Sequence, residues 1–461
     1  MYKFIFKIYI IAFLFIITLP LYSYRENLDR IALQQEYKHS YSLSQIQLER
    51  FHLKDALLNA QKALKLAKQY FGSSGFDLID PYTLMGLVHY ELGNYQKALN
   101  FYFKAEKLML YNLDNDHIYY AVTYNNIGLA YEKLANYNRA EHYLQKSLEI
   151  KIKHLGRLHN SVGTAYNSLG LLEYSLGRYE KALNYYFSAL KIKSKAKGKM
   201  SMAVANIYNN IGLVYQDLGE YKKSYNYHKK ALGIKERIGN FSAIPLATTY
   251  NSLARLYYEL GKYKKSESLF KRSLRLKKEF LGENHPDIAV IYNGMGNCYY
   301  SQDKYAEAKK VYQKAYQIRK NFFPESHPEI AKIYNNIANI YEMTGHFIKS
   351  ETLHKKALDL KLHHLGEYHP TVTNSLENLA VHYNNNDRTN MAIELTLRSL
   401  RLRKNLFGET TRSLIPTYRK LNDFYKKLGN SKQAGIYLDK MKALEKIFPA
   451  KSKVLNIEVR G

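Results

Sequence analysis

The chain has 461 residues with 69 Lys or Arg against 40 Asp or Glu, a formal net charge of +29, and 46% of it is hydrophobic. That apolar share excludes wholesale disorder, and 9 Pro with 24 Gly exclude a collagenous or linker-dominated chain. The single cysteine, Cys298, excludes an internal disulfide framework and a Cys-rich zinc site, whereas 45 Tyr with no Trp point to a repeated element that uses Tyr.

Residues 1–24 begin with Lys3 and Lys7, run apolar from Ile8 to Leu19, and reach Pro20 and Ser23 before the first charged cluster at Arg25. Basic, apolar, then breaker and small residue is the order of a secretory signal peptide, here cut after Ser23. Counted from Phe4 to Tyr24, the same stretch reaches the about 20 residues of a membrane anchor; a buried amphipathic helix is the third reading. The expected location is therefore exported, periplasmic or secreted, or anchored to a membrane by this segment. No cysteine follows the run, which excludes a lipoprotein anchor. Residues 25–36 read as a short lead-in.

One period runs through the rest. Tyr124, Tyr166, Tyr208, Tyr250, Tyr292 and Tyr334 stand 42 residues apart, each followed by Asn and, four positions on, by Gly or Ala. Twelve positions after that small residue comes another, from Ala140 and Ala182 through Ser224, Ser266 and Ala308 to Ser350. Extended in both directions, the period predicts ten units over residues 37–456 and a tail at 457–461. Within a unit, Tyr208, Ile211, Gly212 and Tyr215, then Tyr221, Ser224, Tyr225, His228 and Ala231, recur at helical spacing, so each unit is two amphipathic helices. The link between them is Leu-Gly-x-Tyr, as at Leu176 to Tyr179 and Leu218 to Tyr221, where glycine can end a helix in the left-handed conformation. Between units, His285-Pro286, His327-Pro328 and His369-Pro370 keep the same period, and Pro suits the first turn of a helix. Such a unit cannot bury its own apolar face, so neighbours must stack.

These residues resemble the tetratricopeptide repeat, and the 42-residue spacing with Leu281-Gly-Glu-Asn-His-Pro286 leading into Ile288 and Tyr292-Asn293 is similar to the longer repeats of kinesin light chains. The resemblance covers residues about 37 to 456. It implies an all-α fold, a right-handed superhelical solenoid of helix-turn-helix repeats, with a concave groove lined by the first helix of each pair. Kinesin light chains carry an amino-terminal coiled coil, whereas here no sustained heptad run precedes the array, so a motor adaptor is not the expectation.

On the first helices, the position after the recurrent Tyr and those four and seven further along share one face. Asn125, Asn167, Asn209, Asn251, Asn293 and Asn335 form a ladder on it, joined by Arg255, Asn297 and Asn339 and by Tyr174, Tyr258 and Tyr300. A carboxamide is donor and acceptor at once, so the ladder can grip the backbone of an extended peptide whatever its sequence, with the rings adding apolar contact. Alternatively these Asn bond the neighbouring helix. The expected partner is a protein or peptide segment.

Other signals carry less. His363, His364, Glu367 and His369 lie in an inter-unit turn whose His recurs at the same register, so no metal is expected there, and Cys298 reads as a buried structural thiol. No phosphate loop, His-Glu-x-x-His run or nucleophile elbow occurs in the array, so neither an enzyme, a cofactor nor a small-molecule substrate is expected. Basic residues crowd the second helices, among them Lys222, Lys223, Lys229, Lys230, Lys235 and Arg237, then Lys262, Lys264, Lys265, Lys271, Arg272, Arg275, Lys277 and Lys278. On a convex side they are a solvated face or, as the alternative function, a surface for a polyanion such as nucleic acid, anionic lipid or acidic protein.

Overall fold

The computed structural model describes residues 27–114, 116–239, 243–325 and 327–448. The expected signal or anchor at 1–24 and the tail at 457–461 lie outside the described residues. All regular structure among the described residues is helical, and it comes in ten antiparallel pairs. The first pair is α1, residues 27–49, with α2 (Leu53–Phe71). A single 3-10 turn, Phe76–Leu78, leads to α3 (Ile79–Glu91) and α4 (Tyr95–Asn112), followed by α5 (Ile118–Lys133) and α6 (Tyr137–Leu155). Next come α7 (Asn160–Ser175) with α8 (Tyr179–Lys197), α9 (Met202–Asp217) with α10 (Tyr221–Ile238), and α11 (Ala243–Glu259) with α12 (Tyr263–Leu281). The last four pairs are α13 (Pro286–Tyr300) with α14 (Tyr305–Phe322), α15 (Pro328–Met343) with α16 (Phe347–Leu365), α17 (Pro370–Asn385) with α18 (Thr389–Phe407), and α19 (Leu414–Lys427) with α20 (Ser431–Ile447). Helix α1 starts inside the stretch read as a lead-in. Packing divides the chain at Thr123/Tyr124 into two compact units, although the 42-residue period runs through the division.

The small residue of a first helix makes room for a large side chain of the second helix, Leu144 at Gly128 and a ring in several other units. A Cβ at Gly170 would sit 2.7 Å from the Tyr186 ring, and one at Gly212 2.7 Å from the His228 ring. At Gly296 it would sit 2.3 Å from Tyr312. These rings are buried and fill the space between the paired helices. The second small residue closes the other side, and where it is Ser266 its hydroxyl donates to the carbonyl of Ala254 at 2.7 Å.

The abundance of Tyr has a further cause. The recurrent Tyr of most first helices lies under a cation from the second helix, 22 positions on; Tyr166, with Ser188 at that position, stacks on Tyr185 instead. Lys230 stands 5.6 Å from the Tyr208 ring, Arg272 4.4 Å from Tyr250, Lys314 5.6 Å from Tyr292 and Lys356 4.8 Å from Tyr334. Arg272 also donates to the Tyr250 hydroxyl at 2.9 Å. Each such contact adds about 0.5–1 kcal/mol at an exposed site, so part of the basic surplus is tied to the repeat itself.

In four first helices the N-cap is a His, whereas α9 has Ser201 in that place. His159, His285, His327 and His369 accept through Nδ1 from the N–H two residues on, at 3.2 Å in each case. Pro follows as the first helical residue after the last three, where a missing N–H leaves no bond unmade.

Candidate functional site

In residues 124–448, first helices of successive pairs touch one another from α7 through α9, α11, α13 and α15 to α17, and no pair of second helices packs comparably. The first helices therefore line the inner radius of this unit, the face where the sequence places the groove.

The asparagine ladder divides in two on that face. Asn125, Asn209 and Asn335 are buried. Asn209 Oδ1 meets His228 Nδ1 at 3.1 Å, while Asn335 Oδ1 meets His354 Nδ1 at 2.9 Å and its Nδ2 donates to Ser375 Oγ at 2.7 Å. Burial pushes both His rings down to about 3, so they are neutral and Nδ1–H donates to the amide. Asn167, Asn251 and Asn293 are half-buried. Asn167 accepts from Asn210 of the next first helix at 3.2 Å, and Asn293 from Asn336 at 2.8 Å. Asn297 accepts from Asn336 at 3.2 Å and from the Tyr312 hydroxyl at 2.7 Å. Four of the six ladder asparagines thus stitch a first helix to the next one or to its own partner helix, whereas Oδ1 of Asn125 and of Asn251 is buried without a hydrogen-bond partner.

Tyr174, Arg255 and the unforeseen Asp217 join three consecutive first helices. The Tyr174 hydroxyl donates to Asp217 Oδ2 at 2.7 Å, and Arg255 donates to Oδ1 of the same carboxylate at 3.3 Å. Burial first, then the Asp217 charge, raises the Tyr174 hydroxyl far above its ordinary value, so it remains a donor. Tyr258 accepts from Ser301 Oγ at 3.2 Å, and the Tyr300 ring lies edge-on to Tyr305. Asn339 is half-buried.

The freest part of the inner face lies two positions before the recurrent Tyr. Thr164, Asn206, Val290, Lys332 and Asn374 are exposed there and stand at multiples of 42 residues. Sequence reasoning missed this stripe by choosing the position one after the Tyr, about a sixth of a turn around the helix, where an Asn can equally be buried if it finds a partner.

A second set was also missed. Lys151, Lys193, Lys235, Lys277, Arg319, Lys361 and Arg403 recur every 42 residues in the second helices, and the first six are buried. Lys235 and Lys277 therefore leave the convex basic face to which the sequence assigns them, because they reach inward to the next first helix. Lys277 donates to Asp287 at 2.5 Å, and Arg319 pairs with Glu329 at 2.9 Å. Lys235 donates to Thr249 Oγ1 at 2.9 Å, Lys361 to Ser375 Oγ at 2.8 Å and Arg403 to Glu377 at 3.0 Å. The remaining members of the predicted basic face, such as Lys222, Lys229, Lys264, Lys265, Lys271 and Arg275, are exposed.

The tetratricopeptide repeat profile matches residues 119–195, 161–237, 203–279, 245–321 and 287–363, five overlapping windows that span more than half of the chain. The chain belongs to the tetratricopeptide repeat family. Among curated proteins, none matches this sequence. In solved structures the array is similar to a Rap protein complexed with competence and sporulation factor, at 14% identity over 82% of this chain and 100% of that one, with a TM-score of 0.60. It is also similar to the Rap conjugation regulator of plasmid pLS20 in complex with the Phr* peptide, at 13% identity over 83% and 98%, TM-score 0.52. A Podosopora anserina kinesin light chain with nearly identical TPR-like repeats matches at 18% identity over 45% of this chain and 97% of that one, TM-score 0.36. The two Rap likenesses establish the fold, a solenoid of paired-helix repeats.

Proposed function

We propose that the protein is a non-enzymatic scaffold that binds an extended segment of another protein along the inner face of residues 124–448. The observation that carries this reading is the exposed stripe of Thr164, Asn206, Val290, Lys332 and Asn374, a polar or apolar contact from five of the six first helices α7 to α17, on the face where the first helices meet. A row of contacts at constant spacing suits a chain running across the helices, and the half-buried Asn167, Asn293, Asn297, Asn339, Tyr258 and Tyr300 border it. Two structures of similar fold are named as complexes, one with competence and sporulation factor and one with the Phr* peptide, which supports the same use of the fold here. An exported or membrane-anchored location, from residues 1–24, belongs to the same proposal.

The experiment is a photo-crosslinking benzophenone placed at Asn206 or Lys332 and, as control, at the exposed Lys229 of a second helix. The reading expects a partner protein to cross-link from the two inner positions only. Cross-links from Lys229 alone would replace it by the alternative, a polyanion or acidic protein on the basic second helices.

A further inference from the structure

The second compact unit meets itself along a seam between two kinds of edge: the turn inside one pair, and the start of a first helix five pairs later. His327 and His369 donate to the carbonyls of Lys133 and Ser175, Pro370 lies on Gly177, and Arg412 bonds Gly219. Phe407, at the end of α18, stacks on Tyr179 of α8, with ring centroids 5.8 Å apart and planes 5° from parallel. Because the offset is five pairs, each edge runs on past its covering at one end.

Burial along each edge shows where the covering stops. At one register of the turn, Ala135 and Gly177 are buried and Gly219 is half-buried, whereas their counterparts in the five following pairs, from Gly261 to Gly429, are all exposed. A Cβ at Gly261, Gly345 or Gly429 would meet nothing. The other edge is bare at the opposite end: His327 and His369 are buried, whereas Leu158, His159 and Met200, at the starts of α7 and α9, are exposed. Both bare edges carry apolar side chains, Leu158 at 66% and Met200 at 49% exposure on one, Met343 at 50% and Ile348 at 85% on the other. Phe347, four periods after Tyr179, and Leu155, six periods before Phe407, are exposed as well. The two halves of the stacked contact thus recur, each without the other.

We propose that a second copy of the chain continues the seam: the edge from Leu155 to Met200 of one copy packs on the edge from Met343 to Ile348 of another, with Leu155 set against Phe347 as Phe407 is set against Tyr179. The occupant is a second copy because the surface that fits either bare edge is the other bare edge, and the chain already joins these two surfaces within itself. Each copy carries one edge of each kind, so the contact is heterologous and the association head-to-tail. The proposal is independent of the groove reading, since it uses the turns and the helix starts.

The test is sedimentation equilibrium of the full chain, whose mean mass should rise with concentration above that of the monomer. Each copy carries a formal net charge of +29, so copies repel and added salt should strengthen the association, whereas an assembly bridged by a polyanion weakens with salt. Two variants break one edge each: Phe347→Lys with Ile348→Lys, and Leu155→Lys with Leu158→Lys. Either should raise the dissociation constant at least about tenfold, because association would bury an ammonium group against apolar side chains. Their Tm should stay at the wild-type value, since all four positions are exposed. Mixed together, the two variants should recover dimers and nothing larger, because each supplies the edge that the other lacks; a folding defect cannot be complemented in this way. The pair Lys271→Gln, Arg275→Gln, on the exposed second-helix face, should leave the association unchanged. Where a Lys variant does not fold, Leu158→Cys mixed with Ile348→Cys should give a disulfide-linked dimer, the native Cys298 being buried. A monomer at every concentration, association that weakens with salt, Lys variants that associate like the wild type, a mixture that stays monomeric, or absence of the mixed disulfide overturns the proposal.

Discussion

His369 donates through Nε2 to the carbonyl oxygen of Ser175, 2.7 Å away in space and 194 residues earlier in the chain. His327 does the same to Lys133 at 3.1 Å, and Arg412 bonds the carbonyl of Gly219 at 3.4 Å, so the contact recurs with the repeat. The turn inside one unit thereby meets the start of the first helix five units later, and the second compact unit coils closely enough to touch itself. Gly177, at φ +73°, shows how close: a Cβ there would lie 2.2 Å from Pro370 Cγ. Each of these His rings does two jobs, since Nδ1 caps its helix while Nε2–H crosses to the earlier turn.

Removing those rings should loosen this seam. Changing His327 and His369 to Ala loses about 0.5–2 kcal/mol of cap at each site and about 0.5–1.5 kcal/mol of cross-turn bond. His159→Ala loses a cap alone, because this ring is exposed. The expected outcome in chemical denaturation is a larger loss per site for the first two, with an increased radius of gyration in small-angle scattering that His159→Ala does not cause. Equal losses at all three sites and an unchanged radius would mean that the seam adds nothing.

Acid should destabilise the array through the same rings and through the two inside it. Burial, chiefly, pushes His327 and His369 down to about 4 and His228 and His354 to about 3, from an ordinary 6.5. The folded state then binds fewer protons than the unfolded one, so their contribution is complete above about 6.5 and declines as pH falls toward 3–4. His228→Phe, a replacement the array itself uses at Phe270 of the next unit, should flatten the fall of Tm between pH 6.5 and 4. A curve parallel to the wild type would show that His228 is not neutral when folded.

How much of this is legible in the sequence follows from how local each cause is. The period, the helix pairs, the Leu-Gly-x-Tyr turns and the Pro start are set by neighbours a few residues away, and Gly177 and Gly219 take the left-handed φ of +73° and +79° that the turn requires. The small residues under the rings are equally readable from their spacing. The seam is not, because a 194-residue separation leaves no periodic trace beyond a His that also serves as a cap. The burial of Asn209 and Asn335 is not legible for a chemical reason: an amide satisfies a buried ring such as His354 as readily as a ligand. The cation column was readable, since seven basic residues at one register are more than a solvated face needs, but a Lys-rich helix conceals which of its lysines turns inward.

Glu377 marks where the column is fully neutralised. It accepts from Arg403 at 3.0 Å, Lys420 at 2.6 Å, Thr417 at 2.6 Å and Ser399 at 2.9 Å. Burial opposes its ionisation, yet Arg403 and Lys420 outweigh it and hold the carboxyl at about 2. Glu377→Gln leaves two cations uncompensated and should cost about 3–5 kcal/mol in denaturant unfolding at neutral pH. Because the native carboxyl is depressed, the wild-type advantage should be complete above about 4.5 and shrink as pH drops toward 2. A loss under 1 kcal/mol would show that water already solvates the pair.

Close approach inside a pair should be equally unforgiving. Gly170→Ala places a methyl against the Tyr186 ring, which is itself buried and cannot swing away. Overpacking of this kind costs about 1–3 kcal/mol, against a gain of at most about 1 kcal/mol from the better helix former. A net loss in Tm is expected, and the double change Gly170→Ala, Tyr186→Phe should not recover it, since the ring rather than the hydroxyl makes the contact. Recovery would place the strain at the hydroxyl instead.

Salt separates the inner site from the basic outer face. At the inner face few cations meet the ligand, Lys332 of the stripe among them, so few counterions are released. Affinity for an acidic peptide should then fall by about one order of magnitude or two between roughly 50 and 200 mM salt. A polyanion on the exposed second helices would instead engage six or more Lys and Arg together, and lose about three orders of magnitude or more over the same interval. Changing the exposed Lys229, Lys264, Lys265, Lys271 and Arg275 to Gln should slow association with an acidic partner without altering its dissociation rate, because distant charges steer encounter and do not hold the complex. Lys277 is left intact in that variant, since its bond to Asp287 is part of the fold. A steep salt slope that flattens when these five charges are removed would move binding to the outer face; a shallow slope indifferent to them keeps it on the first helices.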